Sequence, residues 1–193
     1  MKFNLNIFIL QGSDTEIEYQ ASSPDESALV KGVAKFGICF TSRQPEKIGI
    51  QFLDEEREYQ VLNVLEFNSD RKRLSVILKD STGTIKLYCK GADNVIIPRI
   101  SLHPADYRDY TDATVDHMEE FAKEGFRTLV LAYRIISQGE YDEWNENHYT
   151  KAATSIQNRE RKIAEAAELI EKNLIILGAT AIEDKLQEGK LIY

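Results

Sequence analysis

Four short segments carry residue types from which a binding site could be built. Ser23-Pro24-Asp25-Glu26 sets two carboxylates just before a stretch of helical apolar spacing. Glu66-Phe67-Asn68-Ser69-Asp70-Arg71-Lys72-Arg73 puts a large aromatic at the end of an apolar run, beside three cationic side chains. An aromatic there can stack on a flat ring while the cations neutralise an anion. Cys89-Lys90-Gly91-Ala92-Asp93 ends an alternating run on a lysine, just before a glycine and a helix start. That places an ammonium near free backbone N–H groups, which suits an anion. Gly125-Phe126-Arg127-Thr128-Leu129 opens another apolar run on an arginine. Each segment also has a plainer reading. Ser23 can simply cap a helix, Phe67 can belong to the core beside a charged turn, and Lys90 and Arg127 can be solvated. Spacing alone does not choose between the two readings.

Common catalytic signatures are missing from the 193 residues. No G-x-G occurs, and neither do G-x-x-x-x-G-K-[ST], G-x-S-x-G or H-E-x-x-H. A nucleotide bound here would have to be held without a glycine loop around its phosphates. The cysteines, Cys39 and Cys89, are far apart, and the histidines show no ligand spacing. A disulfide framework and structural zinc are therefore not expected, no metal site is assigned, and a reduced setting fits best. The net charge of −8 makes the chain a poor partner for nucleic acid. The charge is unevenly spread. Residues 71–99 hold 7 Lys and Arg against 2 Asp and Glu, while residues 1–70 hold 6 against 12. A basic island in an acidic chain is a candidate seat for an anionic ligand, or a solvated charged face.

The elements that must position these segments can be read from hydrophobic period and punctuation. A strand is expected over 17–20. A helix follows, with Ser23 as N-cap, Pro24 in the first turn and Glu26 completing an S-x-x-E box. Ala28, Leu29, Val33 and Phe36 fall on one of its faces, and Gly37 ends it. Strands are expected over 47–53, 57–67, 74–79, 84–89, 128–135 and 174–182. Helices are expected near 93–97, over 111–124 (Val115, Met118, Phe121 and Ala122 inward) and from 141 to about 172, with a break near 148–150. In the last helix Ile163, Ala166, Ala167 and Ile170 share a face. Hairpins without a βαβ rhythm give an α+β fold, a twisted antiparallel sheet of about six or seven strands flanked by helices. Residues 1–13 are set aside as linker or appended residues without expected order. No apolar run reaches the roughly 18 residues that a membrane span needs.

Taken together and in order, the segments resemble the nucleotide-binding domain of P-type ATPases, and most closely the phospholipid-transporting subfamily. The resemblance rests on YQASSPDESALV, LNVLEFNSDRKRLSVIL, LYCKGADNVI, GFRTLVLAYR and ILGATAIEDKLQEG. It runs from about Glu18 to Gly189 and implies a nucleotide-binding domain over 14–182. Residues 183–193, with Asp184-Lys185-Leu186, look like the return into a neighbouring phosphorylation domain. By resemblance Phe67 stacks on adenine, Glu26 lies near the adenine, Lys90 is the lysine of the K-G-A motif and Arg127 lies on the phosphate side. Asp25, Ser69, Lys72, Gly91 and Leu129 are secondary candidates.

The same resemblance implies ATP with Mg2+, phosphorylation and actuator domains of the same longer chain, and a cytosolic position at a membrane. This segment would make no direct membrane contact, and an accessory subunit is a further implied partner. No catalytic residue is expected here, because the family's phosphorylated aspartate precedes this domain. Asp80-Ser81-Thr82-Gly83 differs by one residue from that D-K-T-G motif, but it sits at a hairpin tip and reads as a turn. Alternatives are the same domain of a cation-transporting P-type ATPase, or a non-catalytic interaction module built on the charged helix at 141–172.

Overall fold

The computed structural model describes residues 7–11, 17–21, 23–103 and 110–183. Asp184-Lys185-Leu186 lies outside the described residues. Strands β1 (Ile7–Gln11) and β2 (Ile17–Ala21) pair antiparallel as a separate two-stranded sheet. β1 falls within residues 1–13, for which the sequence suggests only linker. Helix α1 (Pro24–Ala34) follows, and then seven strands run in chain order: β3 (Ile38–Gln44), β4 (Lys47–Phe52), β5 (Glu55–Leu65), β6 (Arg73–Lys79), β7 (Ile85–Gly91), β8 (Arg127–Ile136) and β9 (Ile175–Ile182). Each pairs antiparallel with the next, so the sheet is a meander. This is the antiparallel α+β arrangement expected from the sequence. Strand β3 is not among the expected strands, because Thr41, Ser42, Arg43 and Gln44 hide its alternation.

Between β7 and β8 lie the short helix α2 (Asp93–Ile96), a 3-10 turn over Ile97–Arg99 and helix α3 (Thr111–Lys123). Between β8 and β9 lie α4 (Gln138–Trp144), a π-helical turn over Asn145–Tyr149, α5 (Thr150–Ala153) and α6 (Arg159–Ile170). The long helical stretch expected over 141–172 is therefore interrupted between Thr154 and Asn158, where Asn158 is left-handed at φ 53°.

Period-2 alternation divides the two faces of the sheet. On β7, Ile85, Leu87, Cys89 and Gly91 are buried, while Lys86, Tyr88 and Lys90 are half-buried. The buried face joins Leu65, Ile77, Val130 and Ile176 to Ile96, Trp144, Ala167 and Ile170 of the covering helices. The Trp144 indole N–H, which needs a partner when buried, donates to the Ala166 carbonyl at 2.8 Å. The opposite face carries a smaller cluster of Ile48, Val61, Val64 and Leu78, with Tyr59, Val76 and Tyr88 against it. That cluster stops short of Leu74 and Lys90, leaving this corner of the sheet open beside α1.

Helix α1 differs from its amphipathic reading. None of its residues is buried; Val33 is 43% exposed, and Phe36, expected on the same face, lies beyond the end of the helix and is 79% exposed. It packs mainly against β2 and β3, and its first turn reaches Lys90 of β7 and Arg127 of β8. In α3, Met118 is buried as expected, while Phe121 is exposed and meets Phe126 edge to face at 5.9 Å.

Candidate functional site

The open corner is floored by three adjacent strands. Register places Leu74 of β6 opposite Lys90 of β7, and Lys90 opposite Leu131 of β8. Leu129 and Arg127 follow at steps of two on the same face of β8. Lys90 therefore stands between apolar neighbours, which hold its stem while the ammonium reaches outward. Gly91 allows the close approach behind it. A Cβ there would lie 2.6 Å from the Arg73 Cβ and 2.8 Å from the Lys72 carbonyl oxygen. That carbonyl accepts the Ala92 N–H at 3.2 Å and ties the turn before β6 to the end of β7.

The N-terminus of α1 forms one wall. The Ser23 hydroxyl accepts the Glu26 N–H at 3.1 Å, and Pro24 occupies the first turn. This is the capping expected from the sequence. It turns both carboxylates toward the sheet, where Glu26 Oε1 accepts from Lys90 Nζ at 3.1 Å and Asp25 accepts from Arg127 Nη1 at 3.3 Å. Capping and site geometry are therefore two consequences of the same four residues.

The opposite wall is the turn between β5 and β6. Asn68 closes it by accepting the Arg71 N–H on its side chain at 2.6 Å and the Lys72 N–H on its carbonyl at 2.9 Å. Lys72 is left-handed at φ 50°. Phe67 projects from this turn and is 62% exposed. A phenylalanine in a short rigid turn, outside every core cluster, is the opposite of the buried residue that the plainer reading required.

These walls enclose a cleft of about 580 Å³, within the range of small-molecule sites. Glu26, Phe67, Lys90, Asp25, Lys72, Gly91 and Leu129 all line it. Arg127 stands at its rim through Asp25 and is more than half exposed. Ser69 is exposed in the turn and does not line the cleft. Three further lining residues, Leu29, Leu74 and Glu66, are not singled out by the sequence as site residues. Leu29 had a signal, since it lies one helical turn after Glu26. Leu74 has none without the strand register.

The basic run at 71–73 needs a correction. Of its three cations only Lys72 faces the cleft; Arg71 and Arg73 are 6% and 2% exposed. Both turn inward to Glu171, with Arg73 Nε donating to its Oε2 at 2.7 Å. Alternation around β6 accounts for this, since Arg73 shares the core-side face with Ser75 and Ile77. The cations at the cleft are thus Lys72, Lys90 and Arg127, and the carboxylates are Asp25, Glu26 and Glu66. Formal charges balance, so an incoming anion must compete with carboxylates already holding Lys90 and Arg127.

Two other reactive groups are accounted for. The Cys89 thiol is buried beneath β6 and β8; burial pushes it up to about 11 against a Ser75 hydrogen bond that lowers it. It is no nucleophile at neutral pH. Asp80 accepts the Thr82 hydroxyl at 2.6 Å and the Thr82 and Thr84 N–H groups at 3.0 Å each. These bonds, the Thr82 hydroxyl first, hold its carboxyl below the ordinary value. Gly83 supplies the left-handed residue at φ 86°. Asp80 is a turn residue.

A family model described as P-type ATPase, cytoplasmic domain N matches residues 6–189. The chain belongs to this family. The phospholipid-transporting ATPase DRS2 of Saccharomyces cerevisiae is 54% identical over 179 residues, covering 92% of this chain and 13% of that protein. The phospholipid-transporting ATPase IC of Mus musculus is 47% identical over 177 residues, covering 91% of this chain and 14% of that protein. The corresponding ATPase ID of Homo sapiens is 44% identical over 177 residues, with 92% and 14% covered. The N domain described here thus spans about one seventh or less of the length of these relatives. Among its described residues no helix is long and apolar enough to cross a membrane, and no group of three or more His, Cys, Asp or Glu is arranged to hold a metal ion.

Proposed function

We propose that this N domain binds ATP in the cleft between α1 and the β5–β6 turn, and presents it to a phosphorylatable aspartate in an adjoining domain of a longer, phospholipid-transporting chain. The observation that carries the reading is Phe67, an exposed aromatic on the wall of a cleft whose floor and rim hold Lys72, Lys90 and Arg127. These residues fit an adenine nucleotide. Phe67 offers a face for the base, Leu29, Leu74 and Leu129 offer apolar contact, and Glu26 can accept from the adenine amine. Lys90 and Arg127 turn from Glu26 and Asp25 toward the phosphates, with Lys72 beside them. ATP supplies the phosphoryl group, while this domain binds and orients it. Mg2+ would accompany the nucleotide, with its protein ligands supplied by the phosphorylation domain of the longer chain. In the parent, the phosphorylation and actuator domains are the partners, with an accessory subunit beside them and the N domain on the cytosolic side of the membrane.

Affinity follows from the balance of terms. Base stacking contributes about 1–3 kcal/mol and a charged hydrogen bond about 1.5–3 kcal/mol, against at least ~4 kcal/mol for lost freedom. With such a bond from both Lys90 and Arg127 the surplus is at most about 5 kcal/mol, so the dissociation constant is no tighter than the high-micromolar range. The test is titration of ATP into the wild-type chain and into Phe67→Ala. Saturable binding weakened by roughly 5- to 100-fold in the variant supports the reading. Equal binding, or none by several millimolar, contradicts it. Phosphate release by the chain alone should be absent.

A further inference from the structure

Phe67 is held in place by bonds that begin outside the nucleotide cleft. Arg71 does not line that cleft. It lines a second cleft of about 470 Å³ together with Glu66, Phe67 and Asn68, so that Phe67 stands between the two. Its Nη1 donates to the Glu66 carbonyl at 2.6 Å, and its Nη2 donates to Glu171. Glu171 caps the C-terminal end of α6 and is 1% exposed. The same carboxylate accepts from Ser75 Oγ at 2.5 Å and from Arg73 Nε at 2.7 Å. Glu168, one turn earlier, accepts from Arg73 Nη2 at 2.5 Å and from Arg99 Nη2 at 2.8 Å. An unbroken set of bonds thus runs from α6 through β6 to the carbonyl immediately before Phe67.

We propose that Arg71, anchored by Glu171, is a positioning residue for nucleotide recognition: it fixes the turn over residues 66–72 and through it the stance of Phe67. The inference rests on the ATP reading above and deepens it.

Stability alone gives a poor account of this arginine. A buried ion pair is often no better than a well-packed apolar pair of similar volume. Arg71 carries a further penalty, because its Nε is buried with no hydrogen-bond partner among the described residues. What the guanidinium provides, and an apolar side chain cannot, is a simultaneous grip on the Glu66 carbonyl and the Glu171 carboxylate. The first of these is adjacent to Phe67 in the chain, and the second is 100 residues from Arg71.

The test is a double-mutant cycle on the 193-residue chain. Arg71→Lys keeps a cation against Glu171 and loses the arm on the Glu66 carbonyl. Binding of ATP and of tripolyphosphate, which has no base, is measured for wild type, Arg71→Lys, Phe67→Ala and the double variant. The proposal expects Arg71→Lys to weaken ATP about 3- to 10-fold, at most the loss seen in Phe67→Ala. Tripolyphosphate binding should fall less than ATP binding, since Lys90 and Arg127 are untouched and only Lys72 belongs to the turn, and the double variant should be no weaker than Phe67→Ala alone. Unchanged ATP binding in Arg71→Lys, additive losses, or equal losses for both ligands overturn the proposal and leave the ATP reading intact. An unaffected Phe67→Ala overturns the ATP reading, and the proposal with it. Should Arg71→Lys fail to fold, Asn68→Ala removes the bond to the Arg71 amide and takes its place in the cycle, where the same results support or overturn the proposal.

Discussion

Replacing Lys90 by methionine separates the phosphate arm of the cleft from the adenine arm. The ammonium lies 3.1 Å from Glu26 Oε1, with side chains 27% and 22% exposed. A hydrogen bond from an ammonium to a phosphate is worth about 1.5–3 kcal/mol. Lys90 must first leave Glu26, and a partly exposed pair of this kind is worth about 0.2–1 kcal/mol. The net loss in Lys90→Met is therefore about 1–2 kcal/mol, or roughly 5- to 30-fold in ATP affinity. Methionine keeps the stem between Leu74 and Leu131, so packing is little changed. Adenosine is the control, because stacking on Phe67 is untouched and its affinity should stay within about twofold. Calorimetric or NMR titration at fixed low ionic strength reads both ligands. Unchanged ATP affinity, or an equal loss for adenosine, would refute the placement of phosphate at Lys90.

Three further outcomes follow from the geometry. Gly91→Ala places a methyl 2.6 Å from the Arg73 Cβ on β6 and 2.8 Å from the Lys72 carbonyl oxygen, which is held by the Ala92 N–H. Overpacking should cost about 1–3 kcal/mol in urea denaturation followed by the fluorescence of Trp144. For Glu168, burial opposes the charge, but the hydrogen bonds of Arg99 and Arg73 outweigh it and hold the carboxyl below its ordinary 4.5. A depressed carboxyl contributes stability that is fully present above the unfolded value and is lost as pH falls through the folded one. The stability gap between wild type and Glu168→Gln should thus be present at about pH 6 and shrink toward about pH 3; a gap that does not change with pH contradicts the assignment. In thiol labelling near pH 8, half-buried Cys39 should react in the folded chain, and Cys89, buried and pushed up to about 11, only on unfolding.

The sequence made most of the fold legible because its punctuation is local. Ser23-Pro24, Gly37, Asp80-Ser81-Thr82-Gly83 and Gly125 mark element ends, and strands β4 to β9 alternate or run apolar between such marks. Strand β3 is hidden by its polar second half at the sheet margin. The face of α1 misleads as well: its apolar period is real, yet none of its residues is buried, and Leu29 faces the cleft instead of a core. At the site, Phe67, Lys90, Glu26 and Arg127 are found through motif resemblance, and the structure brings the first three into one cleft with Arg127 at the rim. The basic run misleads because the direction of each side chain depends on the turn before β6. Arg71 and Arg73 point inward to Glu171, about 100 residues later, which supplies the buried carboxylate they need. No local pattern announces that partner. The held state of the cleft cations is hidden for the same reason, since the pairing of Arg127 with Asp25 spans 102 residues.

The most direct test of ATP binding between α1 and the β5–β6 turn is a residue-resolved NMR titration of the isotopically labelled chain with ATP. Saturating shifts should centre on Phe67, Glu26, Lys90 and Leu129, extend to Arg127, and leave the Asp80–Thr84 hairpin tip unmoved. Saturation at the hairpin tip or on α6 with Phe67 silent, or no saturable shift by several millimolar, would contradict the account.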